Sequence, residues 1–414
     1  MTTASAVLRP TPFTALRFRG YRIYLTGQTL ANTGAWMGSI ALDWLALRLT
    51  DSPAAVGVTM ALQFLPILFL GVHGGLLADR YPKRRTLLVT QSVNAVLTAT
   101  LAALTIAGAV RIGHVFAFAL LTGLVFAVDA PTRQVFANEA VPPSHLRGAV
   151  ALNASVFQAT RLVGPAVASV LIGTAGIGWA FAGNALCYIG PTIALLRLRP
   201  ADLTPAPPAG REPRAFRTAA HYVRKRPRVL WTIVLVGVVG TFGLNFPIVL
   251  TAIATESFGG AAGLYGLFNI VLAVGSAVGA LAAGATVSTG LRRIMVYGGL
   301  FGAVQLLAAA APNLPVFLPL LAALGFVNLA FQALANASVQ LWVDPAMRGR
   351  VMGLYMLVFT GGTPFGAPII GALTNAFGAR AGMAVCGLVP AAAVVAIALV
   401  QRGSVSPAGG SAAR

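Results

Sequence analysis

The chain has 414 residues, of which 57% are hydrophobic and only 9% are charged, and its mean hydropathy is +0.82. Soluble domains carry about 25% charged residues, so the composition excludes an ordinary soluble protein and indicates one that lies in lipid. A formal charge of +20 would suit nucleic acid, but no soluble basic domain is present to bind it, so we expect no such partner.

Twelve apolar runs are long enough to cross a hydrocarbon core, which takes roughly 20 residues of helix. Their continuous apolar character predicts helices, because barrel strands alternate apolar and polar residues. The sequence therefore predicts an all-α membrane protein with twelve transmembrane helices. The predicted spans are residues 23–47, 53–77, 86–108, 114–136, 149–172, 178–197, 229–252, 261–286, 294–311, 316–337, 350–374 and 380–401.

The polar segments predict two halves. Val141–Gly148 is similar to Val343–Gly349, and each follows the fourth span of its half, which indicates two six-helix pseudo-repeats. The polar N-terminal tail lacks the apolar core and cleavage site of a signal peptide. The predicted divisions are an N-terminal tail (1–22), a six-helix bundle (23–197), a central linker (198–228), a second six-helix bundle (229–401) and a C-terminal tail (402–414).

The positive charge lies almost entirely on one side of the predicted membrane. Of the 29 lysines and arginines, only Arg48, Arg111 and Arg380 fall on the other side, and Arg161 falls in the middle of a span. This asymmetry predicts that both termini and the linker are cytoplasmic, with basic loops near anionic lipid. Scarce lysine beside abundant arginine, alanine and glycine indicates a bacterial chain, so we expect a multi-pass inner-membrane protein.

A glycine-rich and basic motif follows the second span. Residues 74–85 read Gly-Gly-Leu-Leu-Ala-Asp-Arg-Tyr-Pro-Lys-Arg-Arg, which resembles the loop between the second and third helices of the major facilitator superfamily of secondary transporters. The resemblance implies two six-helix halves that rock about a central site.

The same resemblance implies a cytoplasmic latch, formed by Gly75, Asp79, Arg80 and Arg84. The Asp79 carboxylate would face the start of the eleventh helix, near residues 349–352, where free N–H groups and the positive helix end attract it. Gly75 would allow close helix approach, and the two arginines would bind carboxylates or lipid phosphate. The alternative is a loop whose charges only fix orientation.

A narrower resemblance covers most of the first half. It is similar to the branch that contains the enterobactin exporter and related bacterial efflux proteins, which implies efflux. Gly164-Pro165 also resembles the fifth-helix motif of the superfamily's antiporters; such a step gives close packing or a pivot, and a static kink remains open. The segments that carry the resemblance are Trp44-Leu45, Leu49–Pro53, Asp129–Gln134, Ala151–Asn153 and Arg161–Pro165.

Three acids are candidates for proton coupling, and all lie in the first half: Asp43, Asp129 and Glu139. Asp129 stands four residues before Arg133, a spacing that allows an ion pair, so a purely structural role is open. Asp43 has only Arg48 near it in sequence, so it could exchange protons, or it could simply be hydrated at the outer lip.

Arg161 lies in the middle of the fifth span, where a charge needs a partner. The sequence leaves three partners open: Asp129, Asp43 or an anionic substrate.

The resemblance implies that the first, fourth, seventh and tenth helices line the central cavity. The amide and aromatic groups carried onto those helices suit amphipathic compounds, although each could instead be helix packing. They are Asn32, Trp36, Phe126, Asn245, Phe246, Asn328, Phe331 and Gln332.

The chemistry-bearing residues do not indicate an enzyme. The four histidines lie far apart and no nucleotide-binding loop occurs, so we expect no cofactor, no metal and no ATP hydrolysis. We predict a monomeric secondary transporter that exports drugs, siderophores or metabolites in exchange for protons. The alternatives are an uncoupled facilitator or importer, and a membrane receptor that transports nothing.

Overall fold

The computed structural model describes residues 12–142, 145–199, 215–260, 262–285 and 290–403, and these residues form helices and no strand. The side chains are described except at residues 12, 13, 71–80, 138, 147, 151, 154, 215, 216, 283–285, 402 and 403. A 3₁₀ turn (Pro12–Arg17) precedes α1 (Arg19–Thr50), α2 (Pro53–Arg80), α3 (Lys83–Ile106), α4 (Ile112–Glu139), α5 (Leu146–Thr174), α6 (Ile177–Cys187), α7 (Ile189–Arg197), α8 (Ala215–Arg224), α9 (Pro227–Val238), α10 (Phe246–Ala252), α11 (Ala262–Ala285), α12 (Leu291–Ala309), α13 (Leu314–Trp342), α14 (Pro345–Gly361), α15 (Thr363–Phe377) and α16 (Ala379–Gly403).

Ten helical segments in the described part of the chain are long and apolar enough to cross a membrane. They place the protein among multi-pass membrane proteins, as the composition predicts.

Three predicted spans are interrupted, and the sixth, expected over 178–197, divides into α6 and α7 at Tyr188. The seventh span, expected as one helix over 229–252, consists of α9, a π-helical turn (Val239–Gly243), α10 and a second π-helical turn (Ile253–Ser257). Pro247 lies in the first turn of α10, where its missing N–H costs no helical hydrogen bond. The eleventh span divides into α14 and α15 at Gly362, with Pro364 in the first turn of α15.

The chain forms two compact units. The first unit draws on residues 1–51, 62–210 and 261–270, and the second on residues 52–61, 211–260 and 271–414. The boundaries therefore fall inside α2 and α11 as well as in the central linker.

In the first unit, α1 packs closely against α5, α6 and α7. A side chain at Gly34 or Gly38 would collide with Asn184 of α6, so these glycines let the two backbones approach. Tyr21 also links α1 to α5, because its hydroxyl donates to the Ala149 carbonyl at 2.7 Å.

In the second unit, α12 packs against α13 and α16 through small residues. A Cβ at Gly302 would lie 2.6 Å from the Gly387 carbonyl oxygen. Glycine at this crossing keeps α12 and α16 in backbone contact, as is common between membrane helices.

Candidate transport site

Asp43 on α1 is a buried acid, with 5% of its surface exposed. The Tyr265 hydroxyl on α11 donates to its Oδ2 at 2.9 Å, and the Trp44 ring stacks on Tyr265 with centroids 6.3 Å apart. Among the described residues no cation pairs with Asp43, and Arg48 is exposed. The carboxyl group is thus buried against a phenol rather than hydrated at an open lip.

Asp129 on α4 lies in a dense polar network and is 1% exposed. It pairs with Arg133 one turn later on the same helix. Two side chains of α3 also donate to its Oδ1: the Thr90 hydroxyl at 2.6 Å and the Gln91 amide at 3.2 Å. Three residues therefore fix this carboxylate between α3 and α4.

Glu139, at the end of α4, is also paired. Its Oε1 lies 3.1 Å from the Lys83 Nζ at the start of α3, and its side chain is buried. The three candidate acids consequently differ: Asp129 and Glu139 each face a cation, and Asp43 faces a neutral phenol.

Arg161 on α5 lies over an aromatic ring. Its guanidinium carbon is 5.5 Å from the centroid of Trp36, and the Phe157 ring meets Trp36 edge-on at 5.7 Å. Neither Asp43 nor Asp129, the two acids considered as partners from sequence, pairs with it in the described structure.

Gly164 and Pro165 mark the place where α5 meets α1. A Cβ at Gly164 would lie 2.5 Å from the Trp36 Cβ and 3.0 Å from the Thr33 carbonyl oxygen. The Pro165 carbonyl accepts from the Ser169 hydroxyl at 2.7 Å, and the N–H that proline lacks is the one that would donate to the Arg161 carbonyl four residues earlier. The geometry here is that of close packing.

The latch is only partly within the described residues. Helix α2 continues to Arg80, so the expected loop is reduced to Tyr81 and Pro82. Arg84 donates to the carbonyls of Leu195 and Leu196, at 2.7 and 2.9 Å, and its role in a latch stays a prediction. The structure describes the backbone at Gly75, Asp79 and Arg80, and the side chains of Asp79 and Arg80 are not among those described.

The predicted cavity residues of the first unit have different surroundings. Asn32 is buried and accepts a 3.0 Å hydrogen bond from Gln28. Trp36 contacts Arg161, as described, and Phe126 on α4 is 47% exposed.

The predicted cavity residues of the second unit are mostly packed. Phe331 is fully buried, and Phe246 meets Phe301 edge-on at 6.4 Å. The Asn245 amide donates to the carbonyls of Thr241 and Phe242, and the Gln332 amide donates to Asn328 at 2.8 Å. Helix packing accounts for these contacts, so their place in a cavity stays a prediction.

Sequence reasoning missed Tyr265, Thr90 and Gln91. Tyr265 could have been noticed as a tyrosine within an otherwise apolar span. Thr90 and Gln91 could have been noticed as adjacent hydrogen-bonding side chains within the third span. Within the described residues no three histidine, cysteine or acidic side chains gather as a metal site.

The backbone is similar to solved transporters. A bacterial homologue of the iron transporter ferroportin in an inward-facing state has a TM-score of 0.71 at 15% identity, covering 94% of this chain and 99% of that one. The POT family transporter PepTSo has a TM-score of 0.72 at 15% identity, covering 93% of this chain and 98% of that one. At these identities the likeness shows the fold alone.

Characterised relatives cover most of the chain. The staphyloferrin A transporter of Staphylococcus aureus is 23% identical over 86% of this chain and 90% of its own length. The multidrug efflux pump Tap of Mycolicibacterium fortuitum is 26% identical over 85% and 88%. The enterobactin exporter EntS of Salmonella typhimurium is 25% identical over 78% of each.

The family assignment rests on nearly the whole chain. The sequence pattern of the family described as transmembrane secretion effector matches residues 10–408. The relatives are transporters of the same superfamily and not enzymes. The protein is therefore a member of the transmembrane secretion effector family of the major facilitator superfamily.

Proposed function

We propose that the protein is a secondary active transporter that exports small amphipathic compounds in exchange for protons. The relatives named above are a siderophore transporter, a multidrug efflux pump and an enterobactin exporter, which supports export of small molecules. The observation that carries proton coupling is the buried Asp43 carboxyl group held by the Tyr265 hydroxyl.

The proposed architecture has twelve spans in two six-helix repeats. Ten segments meet the length and hydropathy of a membrane span, and α1 and α12, with 32 and 19 residues, supply the other two. An even number of spans agrees with two cytoplasmic termini in an inner membrane, as the positive charge distribution favours.

Proton exchange needs an acid whose charge is not already neutralised by a fixed cation. Asp129 and Glu139 face Arg133 and Lys83, so a fixed cation already compensates the charge of each. No cation in the described part of the chain pairs with Asp43, and an unpaired charge within a membrane helix is costly. Binding a proton removes that cost, and opening toward water allows its release.

Proton coupling is tested in proteoliposomes with an imposed proton gradient. The transport of three fluorescent amphipathic compounds, one cationic, one neutral and one anionic, is followed for wild type and Asp43→Asn. We expect gradient-driven transport of at least one compound by wild type and loss of the gradient dependence in the variant. The matched control is Tyr265→Phe, which keeps the ring and the acid and should retain coupling with a shifted pH profile.

Two results would contradict the proposal. Transport by wild type that ignores the gradient would favour an uncoupled facilitator. Gradient-driven transport that survives in Asp43→Asn would remove Asp43 as the proton carrier.

Membrane lipid is a further proposed partner of the first unit. An apolar groove of about 510 Å³ lies between α3 and α4, and the exposed Arg85 lies at its edge while Lys83 and Arg84 bind other groups of the protein. An acyl chain suits the groove and a headgroup phosphate suits the arginine. The groove is lined by Tyr81, Pro82, Arg85, Thr86, Val89, Thr90, Val93, Leu124, Val125 and Val128.

A further inference from the structure

The crossing of α1 and α5 gathers a cation and two aromatic rings. Gly164 brings the helices into backbone contact, and the Arg161 guanidinium lies over the Trp36 ring, which the Phe157 ring meets in a T-shaped contact. Phe157 stands one helical turn before Arg161 on the same face of α5 and is 43% exposed. We name these three residues the α1/α5 cluster.

The cation of this cluster has no countercharge among the described residues. Asp129 is engaged by Arg133, Thr90 and Gln91, and Asp43 accepts from Tyr265. No ion pair or hydrogen bond reaches the guanidinium of Arg161 in the described part of the chain.

Arg161 cannot avoid the cost of an uncompensated charge by losing its proton, because the guanidinium stays charged in proteins. The contact with Trp36 is worth about 0.5–2 kcal/mol, which is less than the several kcal/mol that desolvating an ion costs. An arginine kept at this depth is therefore explained by an anion that binds there from outside the chain.

The depth of Arg161 excludes a lipid headgroup as that anion. Arg161 lies 15 residues after Leu146, the first residue of the 29-residue helix α5. At 1.5 Å per residue this places it about 22 Å along the helix, near the middle of the membrane. Headgroup phosphates lie at the surfaces, so the anion must be a compound that enters the protein.

We propose that the α1/α5 cluster binds the anionic group of the transported compound, and that the substrates are organic carboxylates with an aromatic or apolar body. The guanidinium fork matches a carboxylate with two parallel hydrogen bonds. The half-exposed Phe157 side chain and the indole of Trp36 match the aromatic or apolar body. This inference rests on the proposed transport function and names its substrate class.

The test compares two probes that differ only in charge: 2-naphthoate and its neutral amide, 2-naphthamide. Their binding to the purified full-length protein in nanodiscs is measured by calorimetric titration at one pH, without any gradient. We expect wild type to prefer the carboxylate by at least tenfold. Arg161→Gln should lower carboxylate affinity about 10- to 100-fold, as expected for loss of a charge-assisted hydrogen bond, and leave the amide within twofold.

Three further variants separate charge from folding. Arg161→Lys keeps the charge without the fork and should bind the carboxylate with intermediate affinity. Trp36→Leu keeps Arg161 and should lower the affinity for both probes by the same factor. This variant still tests the cluster if Arg161→Gln does not fold. Arg111→Gln, which removes an exposed arginine before α4, should change neither affinity.

Equal binding of the two probes by wild type, including no binding of either, contradicts the proposal, as does a preference that survives in Arg161→Gln. The measurement is independent of proton coupling. A retained carboxylate preference together with gradient-independent transport would overturn the proposed function and leave the anion site standing.

Discussion

At the scale of single residues, the paired Asp129 is expected to act through stability. Replacing it with Asn removes the negative charge that compensates Arg133. The Asn side-chain oxygen can still accept hydrogen bonds from Thr90 and Gln91. Breaking a buried ion pair on one side costs about 3–5 kcal/mol. We expect Asp129→Asn to lower the free energy of unfolding by about that amount, measured by denaturant titration in mixed micelles.

Two matched variants test the cause. Thr90→Val removes one hydrogen bond and should cost about 1 kcal/mol. The double variant Asp129→Asn/Arg133→Met removes the stranded cation and should recover most of the loss. An Asp129→Asn protein as stable as wild type, but unable to couple transport to protons, would assign the proton to Asp129 instead of Asp43.

The sequence predicts residue contacts only where local geometry fixes them. The four-residue spacing of Asp129 and Arg133 places them on one helix face, so their pairing could be anticipated. Asp43 and Tyr265 are 222 residues apart, and no periodicity brings them together. The same limit applies to Arg84, whose carbonyl acceptors on α7 lie 111 and 112 residues away.

At the scale of helices, Gly164 sets the distance between α1 and α5. A methyl group there would meet the Trp36 Cβ and the Thr33 carbonyl oxygen, neither of which can rotate away. We expect Gly164→Ala to cost about 1–3 kcal/mol in unfolding free energy, the range for overpacking. Gly173→Ala on the same helix, where nothing lies within 4 Å of the added carbon, should be neutral or slightly stabilising.

The comparison of Gly164→Ala with Gly173→Ala distinguishes a packing role from a hinge role for Gly164. If Gly164→Ala is as stable as wild type while transport falls, the glycine acts as a pivot rather than a packing contact. If both positions tolerate alanine in stability and transport, close approach of the helices is not required.

Apolar length predicts that helices exist, but it does not predict where they are interrupted. The seventh and eleventh spans satisfy the length rule, yet each is divided in the structure. Pro247 and Pro364 mark both breaks in sequence, because proline favours the first turn of a new helix. The π-helical turns carry no such marker, since an added residue per turn depends on packing against neighbouring helices.

At the scale of the whole molecule, charge distribution and the latch bear on the same question, namely which face opens to which side. The composition indicates a membrane protein and the one-sided arginines predict an orientation, without any contact information. They do not predict the free energy that keeps one face of the transporter closed. That energy depends on whether the Asp79 carboxylate contacts a helix start, as the family resemblance implies.

The latch predicts a measurable change in accessibility. A carboxylate at a helix N-terminus contributes about 0.3–1 kcal/mol, so its loss should shift a two-state opening equilibrium by roughly two- to fivefold. We expect Asp79→Ala to increase the rate at which an impermeant maleimide labels a Phe126→Cys reporter from the cytoplasmic side of inverted vesicles. Cys187 and Cys386 are replaced by alanine in this background, and transport should fall in parallel.

Asp202→Ala provides the control, because it removes an acid from the linker predicted to be cytoplasmic and leaves the motif unchanged. Equal labelling in Asp79→Ala, Asp202→Ala and the reporter background, with unchanged transport, would leave the motif a purely topogenic loop. In that case reversing the orientation should require only its arginines and Lys83, since the positive-inside rule depends on cations and not on carboxylates. Faster labelling confined to Asp79→Ala instead means that the one acid among these cations holds the cytoplasmic face closed.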